Sequence, residues 1–314
     1  MPIAYAPRLP ALAVALSAAL WGLWWLPLRA LAEAGLSGAA VNAALYGIAT
    51  AALLPLFWRR RRRLLAGRLL LLGAGGLFGG ALVSWNLALI LGEVVRVTLL
   101  FYLALVWATL LAFAVLGERI GWLRVLSVAL GLCGAAVLLG FTGGLPLPRS
   151  VGDWLGLAAG VLFALSVTLV RKGHTIAGLE QTLVSFAAAA LLSLALLAMS
   201  QHRSAGIDPV VLAWAALAAI AWLLPVTWLL LWGARFLEPG RVSLLLLLEV
   251  AVAAISAALL AGEPFGAREA LGCLLILAAG SLEGMAELRP AAHRTSALPP
   301  RAPGTAADCE PSLD

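Results

Sequence analysis

The sequence predicts an all-α integral membrane protein, with ten transmembrane helices arranged as two inverted five-helix repeats. Three observations support this: the composition, a series of long apolar runs, and a match between two distant segments. Of the 314 residues, 63% are hydrophobic and 11% are charged, and the mean hydropathy is +1.03. A soluble domain has about 25% charged residues. The composition therefore excludes a soluble protein.

Apolar runs of about 20 residues are long enough to cross about 30 Å of hydrocarbon as helices. The first run is not a cleavable signal, because its apolar part is too long and nine further runs follow it. The links between the runs are short, so we expect one compact bundle. The ten runs lie at about residues 10–30, 37–57, 69–90, 94–116, 121–141, 151–171, 179–199, 210–235, 239–261 and 265–285.

The basic residues are divided unevenly between the two ends of these runs. If the N-terminus is cytoplasmic, 16 of the 21 Lys and Arg residues lie on the cytoplasmic side. The positive-inside rule then predicts a multi-pass protein of the cell's inner membrane with both termini in the cytoplasm. The run Arg59–Arg63 either anchors this topology at anionic lipid or binds an acidic partner, and we favour the anchor. The distribution explains the basic pI without nucleic acid.

Cysteine and histidine usage excludes two kinds of site. Three Cys residues exclude a disulfide framework, and the three His residues all lie outside the apolar runs, which excludes a His-based metal site in the membrane. We expect no cofactor and no metal. The expected partners are a small-molecule substrate and the lipid bilayer, with the chain as a monomer.

The chain contains an internal repeat. Residues 93–121 and 238–266 align without a gap at an offset of 145, with 11 identities in 29 positions. Apolar identities arise easily by chance in such a chain, but polar ones do not, and these are Glu93/Glu238, Arg96/Arg241 and Glu118/Glu263. The repeat divides the chain into helices 1–5 (1–142), a linker (143–150), helices 6–10 (151–287) and a disordered cytoplasmic tail rich in proline (288–314).

The two halves have opposite orientations in the membrane, because five is an odd number of helices. Such inverted repeats are typical of secondary transporters, in which the halves exchange conformations to give alternating access. An integral membrane enzyme acting on a lipid carrier is the alternative function. That enzyme would need clustered acids, His or a metal site, and each embedded acid here is isolated in sequence. A channel would need polar stripes along several helices, which these runs lack.

Several short motifs add a family resemblance over roughly residues 10–285. They are Leu20-Trp21-Gly22, Gly117-Glu118, Gly262-Glu263, Leu248-Glu249-Val250 and the glycine-rich starts of helices 5 and 10. The chain resembles the EamA-type group of the drug/metabolite transporter superfamily. That resemblance implies export or exchange of small organic metabolites, often amino acids, through a central cavity. The family commonly has proline in helices 4 and 9, where this chain has Leu105 and Val250.

Glu249 is the strongest single candidate for a functional residue. It follows Glu238 by 11 residues, or about 16 Å of helix, which places it near the bilayer midplane. A charge there costs about 2.5–3.5 kcal/mol on insertion scales. Its repeat equivalent is Ala104, so the fold does not require an acid at this level in both halves. Glu249 is a proton-titrating site, a counter-charge for a substrate ammonium, or a protonated group hydrogen-bonded to a neighbouring helix.

Two acid–base pairs begin helices 4 and 9, at Glu93/Arg96 and Glu238/Arg241. The i, i+3 spacing allows an intrahelical pair in each case. As functional residues they would form matched gates or contact a substrate carboxylate. As structural residues they would complement the helix dipole and extend to the interface. We favour the structural role for the pairs, with Arg96 the stronger functional candidate of the two arginines.

A set of aromatic and amide side chains lies within the predicted spans. These residues either fill the core or line a cavity for flat or apolar substrates. We prefer a cavity, because Asn42, Asn86 and Glu249 need a polar environment. The set comprises Trp21, Trp25, Asn42, Tyr46, Trp85, Asn86, Tyr102, Trp107, Trp228 and Trp232.

The charge distribution gives a test of topology. In a cysteine-free background, a single Cys in the loop 34–38 should react with an impermeant thiol reagent in intact cells. A single Cys in the tail should react only after the cells are made permeable, because positive charge holds that end inside. Labelling of the tail in intact cells would contradict the predicted orientation.

Overall fold

The structure is a computed structural model that describes residues 8–65, 68–117, 121–139, 148–173, 178–200, 208–234, 236–237 and 239–288. These described segments are helical and contain no strand. The predicted tail lies outside them, except for Leu288.

The helices follow the predicted runs closely, but three runs are interrupted. The first run forms two helices, the fourth also forms two, and the eighth contains a π-helical turn at Ala218–Leu223. The helices are α1 Arg8–Gly22, α2 Trp25–Glu33, α3 Gly38–Leu65, α4 Arg68–Leu91, α5 Val94–Tyr102, α6 Ala104–Leu116, α7 Trp122–Leu139, α8 Val151–Gly173, α9 Gly178–Met199, α10 Pro209–Leu217, α11 Leu224–Ala234, α12 Pro239–Leu260 and α13 Ala267–Leu288.

Within the described residues, seven helical segments are long and apolar enough to cross a membrane. The segments Val125–Val137 and Leu245–Leu260 are apolar but shorter. The all-helical fold is therefore confirmed over the described residues, whereas the count of ten transmembrane helices stays a prediction. Four tryptophans near helix ends are more than half exposed, as is typical of aromatic residues at a membrane interface: Trp58, Trp122, Trp154 and Trp214.

The helices before and after residues 143–150 pack against one another. From the first part of the chain, α1 packs against α11 and α12, and α4 packs against α8 and α9. α7 packs against α13, and α5 lies between α8 and α12. One main cluster of buried side chains contains residues of both parts. Its members include Trp24 of the first part and Ile276 of the last helix, α13. The two parts therefore share one core.

Two glycines set the distance between α4 and α9. A Cβ atom at Gly79 would lie 2.7 Å from the carbonyl oxygen of Ser185 and 2.9 Å from the backbone nitrogen of Ala189. A Cβ at Gly75 would likewise collide with Val184. The spacing Gly75–Gly79 is the small-xxx-small pattern that allows close approach of membrane helices. Gly76 faces open space instead.

Gly79→Ala should destabilise the protein by about 1–3 kcal/mol, because the added methyl group pushes two backbones apart. Gly76→Ala is the matched control and should be neutral or stabilising by up to about 1 kcal/mol, since alanine favours a helix. Thermal unfolding of both purified variants in the same detergent measures the difference. Equal melting temperatures would show that this contact does not set the packing.

Candidate functional site

The interruptions of the first and eighth runs have a common cause in proline. Pro27 has no backbone N–H and clashes with the carbonyl group four residues before it, at Leu23, so α1 ends at Gly22 and α2 begins at Trp25. Pro225 likewise clashes with the carbonyl group four residues before it, at Ala221, which lies within the π-helical turn. The fourth run breaks at Leu103 without a proline, where the Leu103 N–H bonds to the Leu100 carbonyl oxygen.

The break between α1 and α2 contacts the π-helical turn through tryptophan rings. The Trp24 ring lies 5.9 Å from that of Trp21 and 6.2 Å from that of Trp222. The Trp222 Nε1 donates to the carbonyl oxygen of Leu20 at 3.2 Å. That carbonyl is among the last of α1, which lack partners within their own helix. The two irregular segments therefore stabilise each other.

A buried amide network extends from Trp24 into α3 and α4. Trp24 Nε1 donates to Asn86 Oδ1 at 3.1 Å, and Asn86 Nδ2 donates to Asn42 Oδ1 at 2.7 Å and to the Tyr46 hydroxyl at 3.0 Å. All four side chains are at most 1% exposed. Three of them were predicted site residues, and the structure brings these three together. Trp24 was not predicted as a site residue, because the i, i+4 spacing of Trp21 and Trp25 favoured those two residues instead.

Glu249 has a partner on α5. The Tyr102 hydroxyl lies 3.0 Å from Glu249 Oε2 and 3.0 Å from the carbonyl oxygen of Leu246, so its one proton has two acceptors. Both side chains keep part of their surface exposed. Tyr102 is the last residue of α5, directly before the break at Leu103. Two of the predicted site residues thus form a contact between α5 and α12.

Glycine brings α1 close to the same part of α12. A Cβ atom at Gly22 would lie 2.7 Å from the carbonyl oxygen of Glu249 and 2.9 Å from the Cβ of Val252. The end of α1 is therefore in direct backbone contact with the residue that bears the embedded carboxyl group. The break at Trp24, the break at Leu103 and Glu249 consequently belong to one region.

An ion pair, which we call the helix clamp, joins Arg29 to Glu263. The Arg29 Nη2 lies 2.8 Å from Glu263 Oε1. The guanidinium also donates to the carbonyl oxygens of Leu89 and Gly92, at the end of α4. Glu263 in turn accepts the backbone N–H groups of Val94 at 2.9 Å and Val95 at 3.3 Å.

Each member of the helix clamp thus binds the helix end that its charge favours. Arg29 binds the negative end of α4, and Glu263 binds the positive end of α5. The Arg29 guanidinium also lies 5.1 Å from the ring centre of Trp25, whose Nε1 donates to Ser256 Oγ. Trp25, a predicted site residue, therefore belongs to this clamp rather than to the amide network.

Arg96 is paired with Asp153 at the start of α8. Its Nε lies 3.0 Å from Asp153 Oδ2, and their side chains are 13% and 2% exposed. The same carboxylate accepts the backbone N–H groups of Arg149 and Ser150. Glu93, its expected neighbour, is exposed. Glu238 and the side chain of Arg241 lie outside the described residues.

The remaining predicted aromatic residues are dispersed. The Trp85 ring packs against that of Phe101, with centroids 4.6 Å apart and planes tilted by 46°. Trp107 packs in a separate small cluster with Leu100 and Val106. Trp228 and Trp232 stack on each other at 5.9 Å, but Trp228 is 59% exposed. In the described part of the chain, no group of three or more His, Cys, Asp or Glu could hold a metal ion.

Comparison with known proteins gives one family and one fold. The family model of the EamA-like transporter family matches residues 8–140 and again residues 150–282. A solved crystal structure has a TM-score of 0.57 and 18% sequence identity, and the match covers 87% of this chain and 97% of the other. At that identity the likeness concerns the fold alone. A search of curated proteins found no match.

Loss of the helix clamp should destabilise the protein. Glu263→Gln removes the charge opposite Arg29 and weakens both backbone contacts, so we expect a loss of about 2 kcal/mol in thermal unfolding. Arg268→Gln breaks an ion pair with Glu269 whose arginine is 45% exposed, and should cost less than about 0.5 kcal/mol. Similar losses in the two variants would contradict the assigned role of the clamp.

Proposed function

Because the chain belongs to the EamA-like transporter family, and is thus a multi-pass membrane transporter of the drug/metabolite type, we propose that it is a secondary transporter of small organic metabolites. It exports or exchanges amino acids or related compounds across the inner membrane. Ten transmembrane helices form two inverted repeats, and both termini are cytoplasmic. Alternating access exposes a central cavity to each side in turn. The chain works as a monomer without a cofactor.

One observation carries this proposal: interrupted helices from both parts of the chain meet beside an embedded carboxyl group. Discontinuous helices form the substrate sites of many secondary transporters, because they present free backbone groups and side chains at the midplane. π-helical turns inside α-helices are also frequent at functional sites. Here the Trp24 break contacts the turn through Trp222, and Gly22 contacts the backbone of Glu249.

The contacts between the two parts also support alternating access. The helix clamp joins α2 and α5 to the loop before α13, and Arg96–Asp153 joins α5 to α8. In the predicted topology all four residues lie at the outer ends of their helices. Two ion pairs therefore close the same end of the interface between the halves. Opening a path from outside requires both to separate.

The function is tested with the purified full-length protein in liposomes. Vesicles are preloaded with a mixture of unlabelled amino acids and aromatic metabolites, and uptake of each labelled compound is measured in turn. We expect transient accumulation of at least one compound, because outward movement of unlabelled solute drives exchange. Vesicles without protein and vesicles without internal solute are the controls. Absence of exchange for every compound, with a folded protein, would contradict a transporter of this class.

A further inference from the structure

Glu249 differs from the other embedded carboxylates whose contacts the structure describes. Glu263 is paired with Arg29, and Asp153 is paired with Arg96. Among the described side chains, Glu249 has a hydrogen bond only with a neutral hydroxyl group, that of Tyr102. An ionised carboxylate inside a membrane needs an opposite charge. Among the described side chains, none supplies that charge.

The helices packed around Glu249 support this statement. α1 has no titratable side chain over residues 9–22. On α5, Arg96 precedes Tyr102 by about 9 Å of helix and is already paired. On α13, Arg268 and Glu269 pair with each other near its start, and Cys273 follows one turn later. A cation that pairs with Glu249 must therefore come from outside these described side chains.

Aromatic rings extend in a chain from Tyr102, the residue that contacts the carboxyl group. The Tyr102 ring lies 5.8 Å from Phe101, which in turn lies 5.6 Å from Phe163 and 4.6 Å from Trp85. On the side of α1, Gly22 is flanked by Trp21 and followed by Trp24. Aromatic faces attract cations and also accept apolar groups. An isolated acid beside aromatic rings fits a cation attached to an apolar body.

We propose that Glu249 is the counter-charge for a protonated amine, so that the transported solutes are organic amines with an apolar or aromatic body. This deepens the proposed function, on which it rests, by naming the solute's charge. The Tyr102 hydroxyl orients the carboxyl group toward its ligand.

Four compounds with one phenyl body separate charge from shape. They are phenethylamine (cation), phenylalanine (zwitterion), 3-phenylpropionate (anion) and 2-phenylethanol (neutral). Binding to the purified full-length protein is measured by calorimetry at neutral pH. We expect phenethylamine to bind at least about tenfold more tightly than 2-phenylethanol, as for one added ion pair. The anion should bind more weakly than the alcohol.

Variants assign this preference to one residue. Glu249→Gln should remove the preference for the amine, so that phenethylamine and 2-phenylethanol bind with similar affinity. Tyr102→Phe should keep the preference but weaken amine binding several-fold, because the carboxyl group loses its orientation. Glu269→Gln is the matched control: it neutralises an acid at the start of α13 and should preserve the wild-type preference.

Several outcomes overturn the inference. They are failure of the wild-type protein to bind phenethylamine, equal binding of amine and alcohol, and a preference that survives in Glu249→Gln. If Glu249→Gln does not fold, binding of the four compounds to the wild-type protein and to Tyr102→Phe still tests the inference. Equal binding of all four compounds together with exchange that depends on a pH gradient would make Glu249 a proton site instead. Exchange of other solutes without amine preference overturns this inference alone, whereas absence of all exchange counts against the proposed function.

Discussion

Backbone groups freed inside a membrane must find partners within the protein, because lipid offers none. This constraint governs how the two parts of the chain are joined. The Trp222 side chain binds a carbonyl group at the end of α1, and Glu263 binds the first N–H groups of α5. In each contact the side chain comes from one part of the chain and the backbone group from the other. Helix ends of the first part are therefore stabilised by side chains of the second part.

The regular helices follow the same rule in a simpler way. Serine hydroxyl groups bind carbonyl oxygens across the same division: Ser17 binds Val226, Ser127 binds Ala279 and Ser166 binds Ala74. These carbonyl groups gain a second hydrogen bond, and the serines are buried without an unsatisfied group. Polar contacts thus hold together helices whose apolar surfaces resemble the surrounding lipid. Close packing at Gly79 adds the dispersion contacts that such interfaces depend on.

The sequence predicted the fold well and the site in part. Apolar length located the helices, because a membrane fixes how long a span must be. Pro27 and Pro225 could have indicated two of the interruptions. No proline marks the break at Leu103. The equivalent residue in the repeat is also a leucine, Leu248, and it lies within the continuous helix α12. That difference depends on tertiary contacts. The pairing of Asn42, Tyr46 and Asn86 follows from their shared need for partners, whereas Arg96–Asp153 joins residues that no spacing rule connects.

The contact from Glu263 to Val94 also has a consequence for synthesis in the cell. The residue that satisfies the start of α5 follows it by 169 positions in the chain, and its own N-cap residue, Glu93, makes no capping bond. At about 5–20 residues per second, translation supplies Glu263 roughly 10–30 s after Val94. Until then the first turn of α5 has to remain where water can reach it. The first turn of α5 therefore gains its acceptor only after the loop before α13 has been synthesised.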